Sequence, residues 1–338
     1  NALAPVTNKA ANDAGPIASV TTATLAAGVN VTTAQSTKVG TVYLVLDSDN
    51  FTTVAAMEAA VTAGTARKAT VATANTNTTI VNTVSATNLA AGVYKVIAVD
   101  ATGNVSQESS GTITFDHTAP TAAVTTATIA GGANVTTAQS NELGTVYLVL
   151  DSANFTTVAA MEAAVTAGSA RKATVVTANT NTTIVTTVAA VNLAEGVYKV
   201  IAVDVAGNVS AESTGTITID ATAPAAAITS ATYNVGTGVL VITGSGFEAA
   251  PTTIDVTKIV VNGVTLTGAS SVVVTNSTTL TVTVAGANLT DVNATPAFGA
   301  NNAVTNALAF LAGLQVDAAG NASLAEAATG NTVTVSGN

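Results

Sequence analysis

GVYKVIAVDATGN occupies residues 92–104, and GVYKVIAVDVAGN occupies 196–208. Each opens with a Val/Ile/Tyr-rich run of strand length. Each closes on Asp-x-x-Gly-Asn, whose glycine can take the left-handed backbone that turns a hairpin. Outward from this pair the likeness spreads in both directions. Shifted by 104 residues, 17–116 overlays 121–220 with 80 of 100 positions identical and no gap. A period this long exceeds any solenoid unit, so each copy is expected to bury its own core. Both copies end on the same punctuation, ITFDHTAP at 113–120 and ITIDATAP at 217–224, where Pro120 and Pro224 stop strand pairing. VDAAGN at 316–321 repeats the hairpin signature in an otherwise divergent last part. The expected modules are therefore 1–116 (with 1–15 as an N-terminal docking arm), 117–220 and 221–338.

Within one copy the signals are mainly β. Alternating runs at 19–25, 41–47, 68–73, 78–84, 93–100 and 112–116, with a seventh at 31–35, are separated by Asn/Gly/Ser turns. Six or seven short strands in about 100 residues predict an antiparallel sandwich of immunoglobulin type. One segment breaks the pattern. In 51–64, Val54, Met57 and Val61 recur at helical spacing, Thr52 or Thr53 can cap the start, and Gly64 can end it. A short helix is expected there and again at 156–167. Val304, Leu308 and Leu311 predict another within 302–311. Arg67-Lys68 and Arg171-Lys172 read as solvated strand starts. The fold class is thus all-β, in tandem Ig-like sandwiches, the first two with one inserted helix each.

Composition excludes several functions. Nineteen acids against nine bases give a net charge of −10, which opposes the clustered Lys and Arg that nucleic acid requires. The chain has no cysteine, so thiolate chemistry and a disulfide framework are impossible. Every apolar run is of strand length, whereas a spanning helix needs roughly 20 residues. The one histidine, His117, lies in a joint, and the matching position in the next copy is Ala221. A repeated Ser–His–Asp unit cannot be built from it. With no Trp to stack a sugar, a glycosidase carboxylate pair is also a poor reading. The chain reads as a non-enzyme.

The G-x-Y-K-V-x-A-V-D-x-x-G-N-x-S run followed by D-x-T-A-P resembles the Ig-like repeats of large bacterial surface and type I-secreted proteins, among them biofilm-associated adhesins and S-layer-like proteins. The opening of the last module, ATYNVGTGVLVITGSGF, is similar to another repeat of the same proteins. The resemblance implies an extracellular, cell-surface location and calcium at the module joints. Hard cations take oxygen from Asp, Asn and backbone carbonyls. If the hairpin and the joint meet at one end of a module, Asp100, Asn104 and Asp116 become ligands. Asp204, Asn208 and Asp220 repeat the set, and Asp317 and Asn321 offer part of it. The same residues also make good turn chemistry without an ion. The expected function is a secreted, self-assembling structural subunit, an S-layer-like sheet or a filament. It would polymerise with copies of itself through module edges, the 1–15 arm or the terminal strand 331–338, and contact cell-surface polysaccharide. The alternative is an adhesin segment, with two modules as stalk and the third as a glycan- or matrix-binding tip.

Overall fold

A computed structural model describes residues 14–26, 29, 31–82, 88–131, 135–188, 191–248, 254–299 and 301–337. It holds three tandem β-sandwiches, each with one short α-helix: α1 (Val54–Ala63), α2 (Val158–Thr166) and α3 (Gly286–Ala294). In the first, a five-stranded sheet runs Ala23–Ala26, Ile113–Asp116, Gly92–Asp100, Gly40–Leu46, Arg67–Val71. It faces a three-stranded sheet of Ala18–Ser19, Val31–Ser36 and Thr78–Val81. The second repeats both sheets with every strand about 104 residues on. Pairing is antiparallel apart from one parallel pair per module, such as Ala26 opposite Asp116 and Ala130 opposite Asp220. The run expected at 19–25 divides between the sheets: Ala18–Ser19 pairs with Val31–Ser36, and Ala23–Ala26 pairs with the last strand.

Four consecutive residues of Gly40–Leu46 are buried because both faces of that strand are covered. Val42 and Leu44 pack between the sheets with Ile80, Tyr94, Val96 and Phe115. Tyr43 and Val45 point the other way, onto Met57 of α1 and onto Ile97 and Val99. This is why the helix is there. It closes a second, smaller core that a bare sandwich would leave in water. Its ends follow local rules: Thr53 accepts from the Ala56 N–H at 3.3 Å, and Gly64 stops the helix at φ 81°.

Three expectations need correction. Arg67 is not solvated; it is buried, its Nε donating to Asn82 O and its Nη1 to Gly64 O and Ala66 O at 2.8 Å. Arg171 does the same on Thr186 O, Gly168 O and Ala170 O. The guanidinium thus supplies donors to the carbonyl just past the helix end, such as Gly64 O, and ties that turn to the residue after the Thr78–Val81 strand. In the third module 302–311 is not helical but two strands, Ala303–Thr305 and Leu308–Phe310, with Asn306 between them in left-handed backbone. The helix forms earlier, at α3. Finally, Thr332–Ser336 is no free arm: it lies inside a six-stranded sheet, between Ala227–Asn234 and Ala303–Thr305. Residues 1–13 of the expected N-terminal arm lie outside the described residues.

Candidate functional site

The three Asp-x-x-Gly-Asn loops share one design. In the second module Asp204 Oδ1 accepts from the N–H groups of Gly207 and Asn208, at 2.6 and 2.8 Å, while Oδ2 accepts from Asn208 Nδ2 at 2.8 Å. Asp317 repeats this with Gly320 and Asn321. Asp100 accepts from the N–H groups of Thr102 and Asn104 and from Asn104 Nδ2. The aspartate thus folds the loop over its own carboxylate, and the asparagine side chain is held in a fixed direction.

That direction carries the loop into the preceding module. Asn208 Nδ2 donates to Asp116 O at 3.0 Å, and Asn321 Nδ2 donates to Asp220 O at 2.9 Å. At the first joint the Ala26 N–H also donates to Ala206 O at 3.0 Å. A Cβ on Gly207 would meet that of Ala26 at 3.9 Å, and one on Gly320 that of Ala130 at 3.8 Å, so both loops rest on the preceding module's parallel strand pair.

Asp116 therefore does not meet Asp100 and Asn104. Antiparallel register sets Phe115 opposite Gly92, at the far end of the strand that finishes in Asp100. Eight residues separate the two ends, roughly 26 Å at strand rise. Across the joint, however, Asp116 meets Asp204 and Asn208. The carboxylates of Asp116, Glu142 and Asp204 bring oxygens within 4.8 Å of one another, with Asp204 buried and the other two half-buried. Glu142 was missed by sequence reasoning, because it has no place in the hairpin motif. Burial, with the Asp204 and Asp116 charges behind it, raises the Glu142 carboxyl above its ordinary range. Three all-oxygen donors on one spot suit a hard cation, and this cluster can hold one.

The other loops are balanced differently. Lys38 Nζ lies 3.5 Å from Asp100 Oδ2. Burial opposes ionisation of Asp100, but hydrogen bonds from Thr102 and Asn104 outweigh it and hold the carboxyl well below its usual range. Asp317 is lowered likewise, burial being outweighed by Asn321 and by loop N–H groups. Asp220 accepts from the Thr222 N–H, as Asp116 does from Thr118. No helix among the described residues is long and apolar enough to cross a membrane.

No family model matches the chain, and no curated protein matches it. Solved structures do. A 1.5-MDa bacterial ice-binding adhesin, described for its retention at the host cell surface, aligns over 95% of this chain and 96% of its own, at 16% identity and a TM-score of 0.32. Fibronectin(III)-like modules of Clostridium thermocellum CbhA align over 60% of this chain and 90% of theirs, at 14% identity and a TM-score of 0.28. Bacteroides ovatus SGBP-B, solved with a mixed-linkage heptasaccharide, aligns over 99% of this chain and 69% of its own, at 13% identity and a TM-score of 0.21. None of these similarities assigns the chain an activity.

Proposed function

We propose that this chain is a non-catalytic, extracellular segment of a cell-surface adhesin, in which the stacked first and second modules set the reach of the third. The module boundaries fall near 116 and 220, each at an Asp-x-Thr-Ala-Pro joint. One observation carries the reading: the same amide-to-carbonyl contact is made twice, Asn208 to Asp116 and Asn321 to Asp220. A catalytic unit has no use for a contact repeated in series, whereas a stalk does. Calcium is the cation that closes the first joint, through Asp116, Glu142 and Asp204. Its chemistry there is to neutralise three carboxylates that otherwise repel across the joint. The third module, the most divergent in sequence, presents the glycan- or matrix-facing surface.

Two experiments test this. Antibodies to the chain should label unbroken cells of its source; label that appears only after lysis contradicts the reading. Calcium should raise the unfolding temperature of the whole chain, because a ligand that binds only the folded state stabilises it. Asp116→Ala should abolish that rise. An undiminished calcium response in Asp116→Ala removes the cation from this joint.

Self-assembly is the second reading, and one observation favours it. Ser271–Asn276 is an edge strand of the third module's six-stranded sheet, it carries no charge or proline, and Val273 is 62% exposed. Such an edge offers backbone donors and acceptors to a second copy. Val273→Lys should leave the fold intact and end any concentration-dependent association; association that survives it contradicts this route.

A further inference from the structure

In all three modules an opening strand lies parallel to the strand by which the chain leaves. Ala23–Ala26 pairs with Ile113–Asp116, Ala127–Ala130 with Ile217–Asp220, and Ala227–Asn234 with Thr332–Ser336. This arrangement has a mechanical consequence. Tension along the chain draws the opening strand back and the closing strand forward, so the two slide along each other. Every bond between them is then strained together, whereas strands drawn apart from one end give way one bond at a time. The first module's pair has a further hold. Ala23 donates to Thr112 O within the pair, and bonding alternates along a strand, so the Ala26 N–H turns away from it. That N–H donates instead to Ala206 O of the second module at 3.0 Å. Asp116, the register partner of Ala26, accepts on its backbone oxygen from Asn208 Nδ2, also at 3.0 Å. One loop, 204–208, thus grips both strands of the pair at the end where the chain leaves. At the second joint, among the described residues, the loop bonds only the closing strand, through Asn321 on Asp220 O.

We propose that the parallel pair of each module carries tension along the chain, and that the 204–208 loop of the second module locks the pair of the first. Sliding Ala23–Ala26 against Ile113–Asp116 parts Ala26 from Asp116. Both are bonded to one loop, so they cannot part without breaking a bond to it. The reinforcement runs one way: a module is strengthened by the module that follows it. The locking loop itself lies outside the path of the force through the first module, because the chain leaves that module at Asp116. The proposal rests on the stacked-joint reading above and adds to it a resistance to force.

Single-molecule force spectroscopy of the full chain in calcium tests this. The chain has no cysteine, so handles attach uniquely at Ile17→Cys and Thr118→Cys, exposed positions on either side of the first module. Only that module is then stretched, with the second and third still in place. Asn208→Ala, in a module that bears none of the force, should shorten the first module's lifetime at constant force about fivefold, the factor for one lost hydrogen bond. Asn321→Ala, at the other joint, should leave it unchanged. Handles moved to Thr21→Cys and Ser110→Cys, both exposed, draw the pair apart from one end and should unfold the module at a lower force. Equal resistance in the two directions overturns the pair as the element that carries tension. Hydrogen exchange at the Ala26 amide, which crosses the joint, separates the remaining failures. An unchanged lifetime in Asn208→Ala, beside a protected Ala26 in the unsubstituted chain, overturns the lock alone. An unprotected Ala26 overturns the stacked-joint reading, and the proposal with it.

Discussion

The joint between the first and second modules and the joint between the second and third make the same contact under different electrostatics. Both set an asparagine Nδ2 on the backbone oxygen of the aspartate that ends the preceding module, at 3.0 and 2.9 Å. At the first joint Glu142 adds a third carboxylate to Asp116 and Asp204; at the second, no such cluster of three acids occurs among the described residues. The hydrogen bond is therefore the constant part of the joint and the charge is the adjustable part. A backbone carbonyl and a loop-held amide depend on fold alone, so they survive where sequence diverges, as it does in the third module. Charge depends on one side chain and can change with one substitution, as it has between Lys38 and Glu142.

The largest effect should come from the loop aspartates. Asp204→Ala and Asp317→Ala each strip acceptors from two backbone N–H groups and release the asparagine. Each should cost about 2–3 kcal/mol in urea unfolding, the loss at Asp204 being the smaller because its removal also relieves repulsion with Asp116 and Glu142. A larger loss at Asp204 than at Asp317 would contradict that repulsion. Next, Asn208→Ala and Asn321→Ala should each weaken coupling between neighbours by about 1 kcal/mol, read as a lost shared unfolding transition. Glu142→Lys should give the first joint the charge arrangement of Lys38. It should stabilise that joint in EDTA by up to about 1 kcal/mol and remove its response to calcium.

The smallest effect is the dependence on pH, and the two joints should differ in sign. Glu142 has a raised carboxyl, so its ionisation penalises the folded state. That penalty is present above the raised value and disappears as pH falls towards the ordinary 4.5. Asp317 is lowered, so it contributes stability above its ordinary 3.8, lost as pH falls through the folded value. Acidification from neutrality to about pH 5 should tighten the first joint and leave the second unchanged. Further acidification should weaken the second. Hydrogen exchange at Ala26, whose N–H crosses the first joint, reports on that joint, and exchange at the backbone amide of Asn321 reports on the Asp317 loop that forms the second.

Much of the fold was legible because it obeys local rules. Thr53 and Gly64 bound α1 through capping chemistry written within a few residues, and the Asp-x-x-Gly-Asn turns need only their own atoms. The 302–311 helix failed for the converse reason: Val304, Leu308 and Leu311 have helical spacing, but Val304 is taken by a strand partner, Val333, that no local pattern reveals. Arg67 carried a readable signal, since it stands three residues after the glycine that ends α1, where carbonyls need donors. The site was legible in its residue types and not in its pairing. Asp116, Asp204 and Asn208 were all candidates, but grouping Asp116 with Asp100 overlooked that one antiparallel strand separates a module's two ends. Only the stacking of modules brings Asp116 to Asp204, and only the folded chain brings Glu142 to both.

Residual dipolar couplings from the isotope-labelled chain in calcium test the central claim most directly, because they report the orientation of each module separately. Rigid joints built as described here predict one alignment tensor for all three modules, with the first separating from the second in Asn208→Ala. Three unrelated tensors in the unsubstituted chain would contradict it, because modules that tumble independently have no joint to close.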